Sequence, residues 1–333
     1  MRRVLAIDMG GTKTAAGVVD ETGKILARRA VPTPLSSPDA AVDAMASLSR
    51  EVLAEAGPVE SAGLALPGVV DRRLGVLVRS ASSGWTEVPF AALVSRALGL
   101  SVVSENDVNA CALAEARFGG GAGMDCFFWM TISTGIGGAV YAGGRILGGP
   151  MSGEIGHLVV DPGGSPCGCG NRGCLEVEAA GPAWRRRALE LLDEAAGRTG
   201  IPADRTGAAD AAGTAGSAPG GHLDHLVRDR LDARAVAEGA RLGDPLCLRV
   251  VEDCARPLAA GLAAVFNILD PDAVFLGGGV AESFDLLEPI LRRELPPLVL
   301  AGRDRPLPVL KSSLGYDAAL VGAAVPALFP YSS

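Results

Sequence analysis

His157, Cys167, Cys169 and Cys174 stand together in the run G-H-L-V-V-D-P-G-G-S-P-C-G-C-G-N-R-G-C. One imidazole and three thiolates make a complete tetrahedral set for Zn2+; with no position left for water, such a metal is structural. Glycines at 168, 170 and 173 let the backbone turn tightly enough to aim three sulfurs at one centre. The competing reading is a disulfide framework, as in small secreted domains. A chain of 333 residues whose start, Met1 to Asp8, lacks the apolar run of a signal peptide favours reduced thiols, zinc and a cytoplasmic setting.

Three glycine turns each follow an apolar stretch: Asp8-Met-Gly10-Gly11-Thr12-Lys13-Thr14, Ser133-Thr134-Gly135-Ile-Gly137-Gly, and Gly277-Gly278-Gly279. Glycine permits positive φ and lets backbone N–H groups approach an anion, and Thr12, Thr14, Ser133 and Thr134 add hydroxyl donors. A hairpin needs glycine too, so any one loop alone says little. None has the spacing of a Walker A loop or a dinucleotide fingerprint. Two such loops in two similar units suggest a nucleotide held in a cleft between them. Asp8, ending a strand beside the first loop, then suits Mg2+ held through its water shell.

Glu105-Asn106-Asp107 marks a strand-to-helix junction. A carboxylate there is stabilised as the anion by free N–H groups and the helix dipole, so Asp107 reads locally as a helix cap. The functional reading makes it the base that accepts a hydroxyl proton during phosphoryl transfer, with Asn106 and Glu105 holding neighbouring hydroxyls or the turn itself.

These residues need a scaffold, and composition bounds it. Hydrophobic residues make up 48% of the chain, enough for a large core in two domains. The longest apolar candidate, Ala259 to Leu269, is interrupted by Asn267 and falls short of the roughly 18 residues of a membrane span. A net charge of -8 disfavours nucleic acid. The Arg185-Arg186-Arg187 run is expected on the solvated face of a helix. Cys111, Cys126, Cys247 and Cys254 fall singly in apolar stretches and read as small buried hydrophobes.

Periodicity predicts meandering strands at 4–8, 14–19 and 25–31, a helix over 38–56, strands at 61–66 and 101–104, and a helix over 107–118. The pattern restarts with strands at 127–133 and 139–142, a helix over 246–269, a strand at 273–276 and a closing helix over 318–328. Residues 205–221, rich in Ala, Gly, Asp and Thr, read as a flexible surface insertion, with His222 and His225 exposed and inert after it.

Taken together, D-M-G-G-T-K-T, E-N-D-V-N-A, S-T-G-I-G-G, G-E-I-G-H, C-G-C-G-N-R-G-C-L-E and the late L-G-G-G-V resemble the ROK family of sugar kinases and repressors, in the family's order. The resemblance implies an α/β, actin-like ATPase fold built of two ribonuclease-H-like domains, with the nucleotide and sugar cleft between them. The first domain would take residues 1–118, completed by a closing helix within 316–333. The second would take 119–315, with the zinc loop 157–174 and the 205–221 insertion. It also implies ATP with Mg2+, structural Zn2+, a hexose substrate with glucose foremost, and a homodimer. Asp107 would be the catalytic base. Gly68, Asn106, Glu154, His157 and Glu176 would line the sugar, and Asp8, Gly10, Gly11, Thr12, Lys13, Thr14, Ser133, Thr134, Gly135, Gly137, Gly277, Gly278 and Gly279 the nucleotide and its metal. His157 would face zinc with one ring nitrogen and the sugar with the other. Family repressors carry a DNA-binding segment ahead of the first strand; here the strand starts at once, as in the kinases. Many members place an asparagine before a Gly-Trp pair, where this chain has Ala81-Ser-Ser-Gly-Trp85, so Ser82 or Ser83 stands in. Fructose, allose or N-acetylmannosamine are alternative acceptors, and a non-catalytic sugar sensor is the alternative from another class.

Overall fold

The computed structural model describes residues 1–199 and 231–330. The expected insertion at 205–221, and His222 and His225, lie outside the described residues.

Strands β1 (Arg3–Met9), β2 (Lys13–Asp20) and β3 (Ile25–Pro32) form an antiparallel meander. Helix α1 (Pro38–Ala56) starts where Ser37 accepts the Ala40 N–H at 3.1 Å and Pro38 occupies the first turn. After β4 (Ser61–Leu66) come β5 (Val69–Asp71), β6 (Val76–Arg79) and β7 (Thr86–Val88), which form a small three-stranded sheet. Helix α2 (Phe90–Leu98), strand β8 (Ser101–Asn106) and helix α3 (Asp107–Phe118) follow. β4 adds parallel to β1, and β8 parallel to β4, giving the order β3-β2-β1-β4-β8. β8 runs past the expected Ser104 because pairing continues to Leu66 with Asn106.

The same neighbour pattern recurs. Strands β9 (Cys126–Ile132), β10 (Ile136–Ala142) and β11 (Arg145–Ile146) are followed by helices α4 (Leu175–Ala179), α5 (Gly181–Thr199), α6 (Ala233–Arg241) and α7 (Pro245–Leu269). Then come β12 (Ala273–Gly277), α8 (Phe284–Glu294), β13 (Val309–Lys311) and α9 (Ala318–Leu328). The second sheet has the order β11-β10-β9-β12-β13, with β12 and β13 parallel. No helix among the described residues is long and apolar enough to cross a membrane.

Contacts divide the chain into two compact units. One comprises Met1–Met130, Gly138–Gly153 and Ser312–Ser333; the other comprises Thr131–Gly137 and Glu154–Lys311. In the first, both faces of the parallel strands are buried, which is why β1 and β4 read as continuous apolar runs. Leu5, Ile7, Leu64 and Leu66 pack with Met45 and Val52 of α1 and Phe90 and Val94 of α2. Val4, Ala6 and Ala65 share the opposite cluster with Ala110 of α3 and Leu320, Ala323 and Ala324 of α9. Here helix and strand backbones nearly touch: a Cβ on Gly63 would collide with the Ala323 carbonyl, and one on Gly322 with the Ala110 carbonyl.

Arg186 and Arg187 do more than face solvent. Arg187 Nε donates to Asp253 Oδ2 at 2.8 Å, tying α5 to α7, and Arg186 Nη1 donates to the Val177 carbonyl at 2.7 Å. An arginine triplet hides this because its spacing shows no partner. Cys111, Cys247 and Cys254 are buried free thiols, and Cys126 is half-buried.

Candidate active site and metal centre

In the first unit, β8 delivers the acidic turn to the start of α3. Asn106, not Asp107, is the cap: its side-chain oxygen accepts from the N–H groups of Val108 at 2.9 Å and Asn109 at 3.0 Å. Asp107 is the first helical residue, and its Oδ1 accepts from Val108 N at 3.0 Å and from Asn106 Nδ2 at 2.9 Å. Asn106 Nδ2 also donates to the Gly68 carbonyl at 2.9 Å. Gly68 has φ +109, and a Cβ there would strike the Arg79 carbonyl, so glycine is required at this turn. Glu105 is buried and holds the turn: Oε1 accepts from Asn106 N and Asn109 Nδ2, both at 2.9 Å, and Arg72 Nη1 lies 3.4 Å from Oε2.

Asp8 lies on β1 opposite Ala15 of β2 and Ala65 of β4. Burial pushes its carboxyl up to about 7, and the charges of Asp107 and Asp317 push the same way against Arg28 and Lys13. Gly10 N donates to the Lys13 carbonyl at 2.9 Å, closing the loop. Thr33 Oγ1 donates to the Gly10 carbonyl at 2.7 Å and sits 2.9 Å from Thr14 Oγ1. Thr14 is fully buried, so its hydroxyl serves this hairpin, whereas Thr12 and Lys13 are exposed. A Cβ on Gly11 would lie 3.4 Å from Ser82 Oγ, which is 3.0 Å from Ser80 Oγ.

In the second unit, the four predicted ligand atoms lie within 4.8 Å of one another. His157 Nδ1 is 3.7 Å from Cys167 Sγ, and Cys169 Sγ is 3.6 Å from Cys174 Sγ. A zinc–sulfur distance of about 2.3 Å gives a tetrahedron with sulfur–sulfur edges of about 3.8 Å, so the group fits the ion. The loop is built for this: Gly170 N donates to the Cys167 carbonyl at 3.0 Å, and Gly173 has φ +65 and packs its Cα against the Asp161 carbonyl. His157 ends a short 3-10 turn, Ile155–His157, and its Nε2 points away from the sulfurs to Glu154 Oε2 at 4.0 Å.

Helix α4 begins immediately after Cys174. Its Glu176 Oε2 accepts the Ile136 N–H at 3.1 Å, and a Cβ on Gly135 would lie 2.5 Å from the same oxygen. The sequence gave no signal for Glu178, whose Oε1 accepts from Ser165 N at 2.6 Å while Arg186 Nη2 lies 3.2 Å from Oε2. The second and third glycine loops meet here. Gly278, at φ +88, would drive a Cβ into the Ile132 carbonyl, and one on Gly279 would stand 4.0 Å from Ser133 Oγ. Ser133 and Thr134 are exposed.

The predicted residues thus fall into two groups. Asp8, Gly10, Gly11, Thr12, Lys13, Thr14, Gly68, Asn106 and Asp107 belong to the first unit; Ser133, Thr134, Gly135, Gly137, Glu154, His157, the three cysteines, Glu176 and Gly277 to Gly279 belong to the second.

Known proteins with this arrangement are sugar kinases. The chain is 34% identical over 327 residues to a glucokinase of Streptomyces coelicolor, covering 97% of each chain. It is 32% identical over 329 residues to an N-acetylmannosamine kinase of Shigella flexneri, again covering 97% of each. The crystal structure of a ROK family glucokinase from Streptomyces griseus in complex with glucose and AMPPNP superposes with a TM-score of 0.78 at 33% identity, covering 97% of this chain and 98% of that one. The two sheets of matching strand order are the repeated half of an actin-like ATPase fold, and residues 4–328 match a single family along their whole length: the chain belongs to the ROK family.

Proposed function

We propose that the protein is an ATP-dependent hexose kinase that transfers the γ-phosphoryl group to a sugar hydroxyl, with glucose as acceptor and glucose 6-phosphate as product. The observation that carries this reading is the division of labour at α3. Asn106 satisfies the helix start, so Asp107 is placed at a rigid junction without being needed as the cap. Two donated hydrogen bonds at Oδ1 favour its ionised form, as a base requires.

In this reading Asp107 takes the proton of the attacking hydroxyl as the oxygen–phosphorus bond forms and the bond to the ADP leaving group breaks. Mg2+, when bound with ATP, neutralises charge on the phosphates, and Asp8 is the carboxylate suited to hold its water shell. The loops at 10–13, 133–137 and 277–279 offer backbone N–H groups and exposed hydroxyls to phosphate oxygens. Glu154, Glu176 and His157 accept sugar hydroxyls, with the metal loop fixing the imidazole. Structural zinc and a homodimer complete the proposal, as the family resemblance implies.

The N-acetylmannosamine kinase relative supports a second acceptor, a 2-acetamido sugar. A coupled ADP-release assay with ATP and a panel of hexoses decides between them. Glucose should give the highest kcat/KM; a higher value for N-acetylmannosamine replaces the acceptor, and no turnover with any sugar favours a non-catalytic sensor.

A further inference from the structure

The two motifs assigned to the sugar grip the middle of a glycine loop assigned to the nucleotide. Ile136 lies in the S-T-G-I-G run, and its N–H is taken by Glu176 Oε2 at 3.1 Å. Its carbonyl faces Gly156 of G-E-I-G-H so closely that a Cβ at 156 would collide with it. All of these residues belong to one unit. The loop is fixed elsewhere as well: Gly181 N donates to the Ser133 carbonyl at 2.8 Å, and Ser133 N to the Gly135 carbonyl at 2.9 Å. Glu176 is the one charged group among these holds.

From this we infer that Glu176 is a positioning residue for the nucleotide loop 133–137, acting through its bond to Ile136 N–H, in addition to any contact it makes with sugar. The inference rests on the kinase reading of that loop. Glu176 and Glu154 therefore part company. The polar neighbour shown for Glu154 is His157, at 4.0 Å from Nε2, and no bond joins it to the loop. Losing a hydrogen bond to an ionised acceptor weakens what it supports by about tenfold to a hundredfold. A glutamine at 176 keeps an oxygen able to accept the Ile136 N–H; an aspartate stops one methylene short.

The test is calorimetric binding of Mg–AMPPNP to the whole protein without sugar, so that sugar contacts cannot contribute. Glu176→Ala should bind about tenfold or more weakly, and Glu176→Asp should weaken in the same direction. Glu176→Gln and Glu154→Ala should stay within about twofold of the unsubstituted protein, while both lose affinity for glucose in a parallel titration. If Glu176→Ala does not fold, the Asp and Gln variants carry the comparison. Unchanged AMPPNP affinity in both Ala and Asp variants overturns the inference alone, as does a Gln variant as weak as Ala. An unsubstituted protein that binds no AMPPNP overturns the kinase reading and the inference with it.

Discussion

Asp107 and Asn106 divide two jobs that the sequence left on one residue. Aspartate and asparagine both begin helices, so the letters E-N-D placed the junction and not which side chain would cap it. The structure resolves this through Asn106, whose oxygen takes two N–H groups and whose amide donates to Gly68 and Asp107. Replacing Asp107 with Asn keeps an oxygen able to accept from Val108 and Asn106 but removes the base. Asp107→Asn should therefore lower kcat by about 10^2 to 10^4, the usual worth of general-base catalysis, with Tm and the sugar Kd near those of the unsubstituted protein. Turnover at saturating substrates close to normal would withdraw the assignment. Asp8 adds a pH signature that no spacing could reveal, because burial and neighbouring charges set it. Its carboxyl is raised from 3.8 to about 7, so between those values the native state holds a proton that the unfolded chain has released. Its contribution to stability is then present below about 4 and is lost as pH rises through about 7. The Tm difference between the unsubstituted protein and Asp8→Asn, followed from pH 4 to 8 without divalent cation, should shift in favour of the Asn variant as pH rises; a flat difference contradicts it.

At the scale of elements, the metal loop was the most legible part of the site. One histidine and three cysteines at glycine-punctuated spacing name a tetrahedron without help from the fold. The supports of the loop were not legible. Glu178 and Arg186 fall on two different helices, and only the turn after α4 brings the guanidinium to the carboxylate that holds Ser165. The three short strands β5 to β7 were missed for a related reason: runs of three or four residues carry no measurable period. Cys169 is the exposed ligand, so changing it disturbs little packing. Cys169→Ser should reduce bound zinc, measured by elemental analysis, and weaken glucose binding in parallel, because His157 loses the centre that orients it. Full glucose affinity in zinc-free protein would separate the metal from the sugar site.

At the scale of the whole molecule, the sequence announced its repeat through two sets of strands and glycine turns, and the family resemblance supplied the fold that the two sheets then displayed. Pairing order was less accessible, since β8 joins β4 across some forty intervening residues' worth of chain that no local pattern connects. The last helix extends this non-locality to its limit. α9 covers Val4, Ala6 and Ala65 so closely that glycines at 63 and 322 are needed to admit it. On the ribosome, the first strands emerge long before residues 318–328, and domains generally fold N-terminal first only where their parts are contiguous. One apolar face of the opening sheet therefore has to wait, uncovered by its own helix, until translation is nearly finished. Completion of that half is a late event in biosynthesis, and its shielding until then falls to transient contacts or to chaperones.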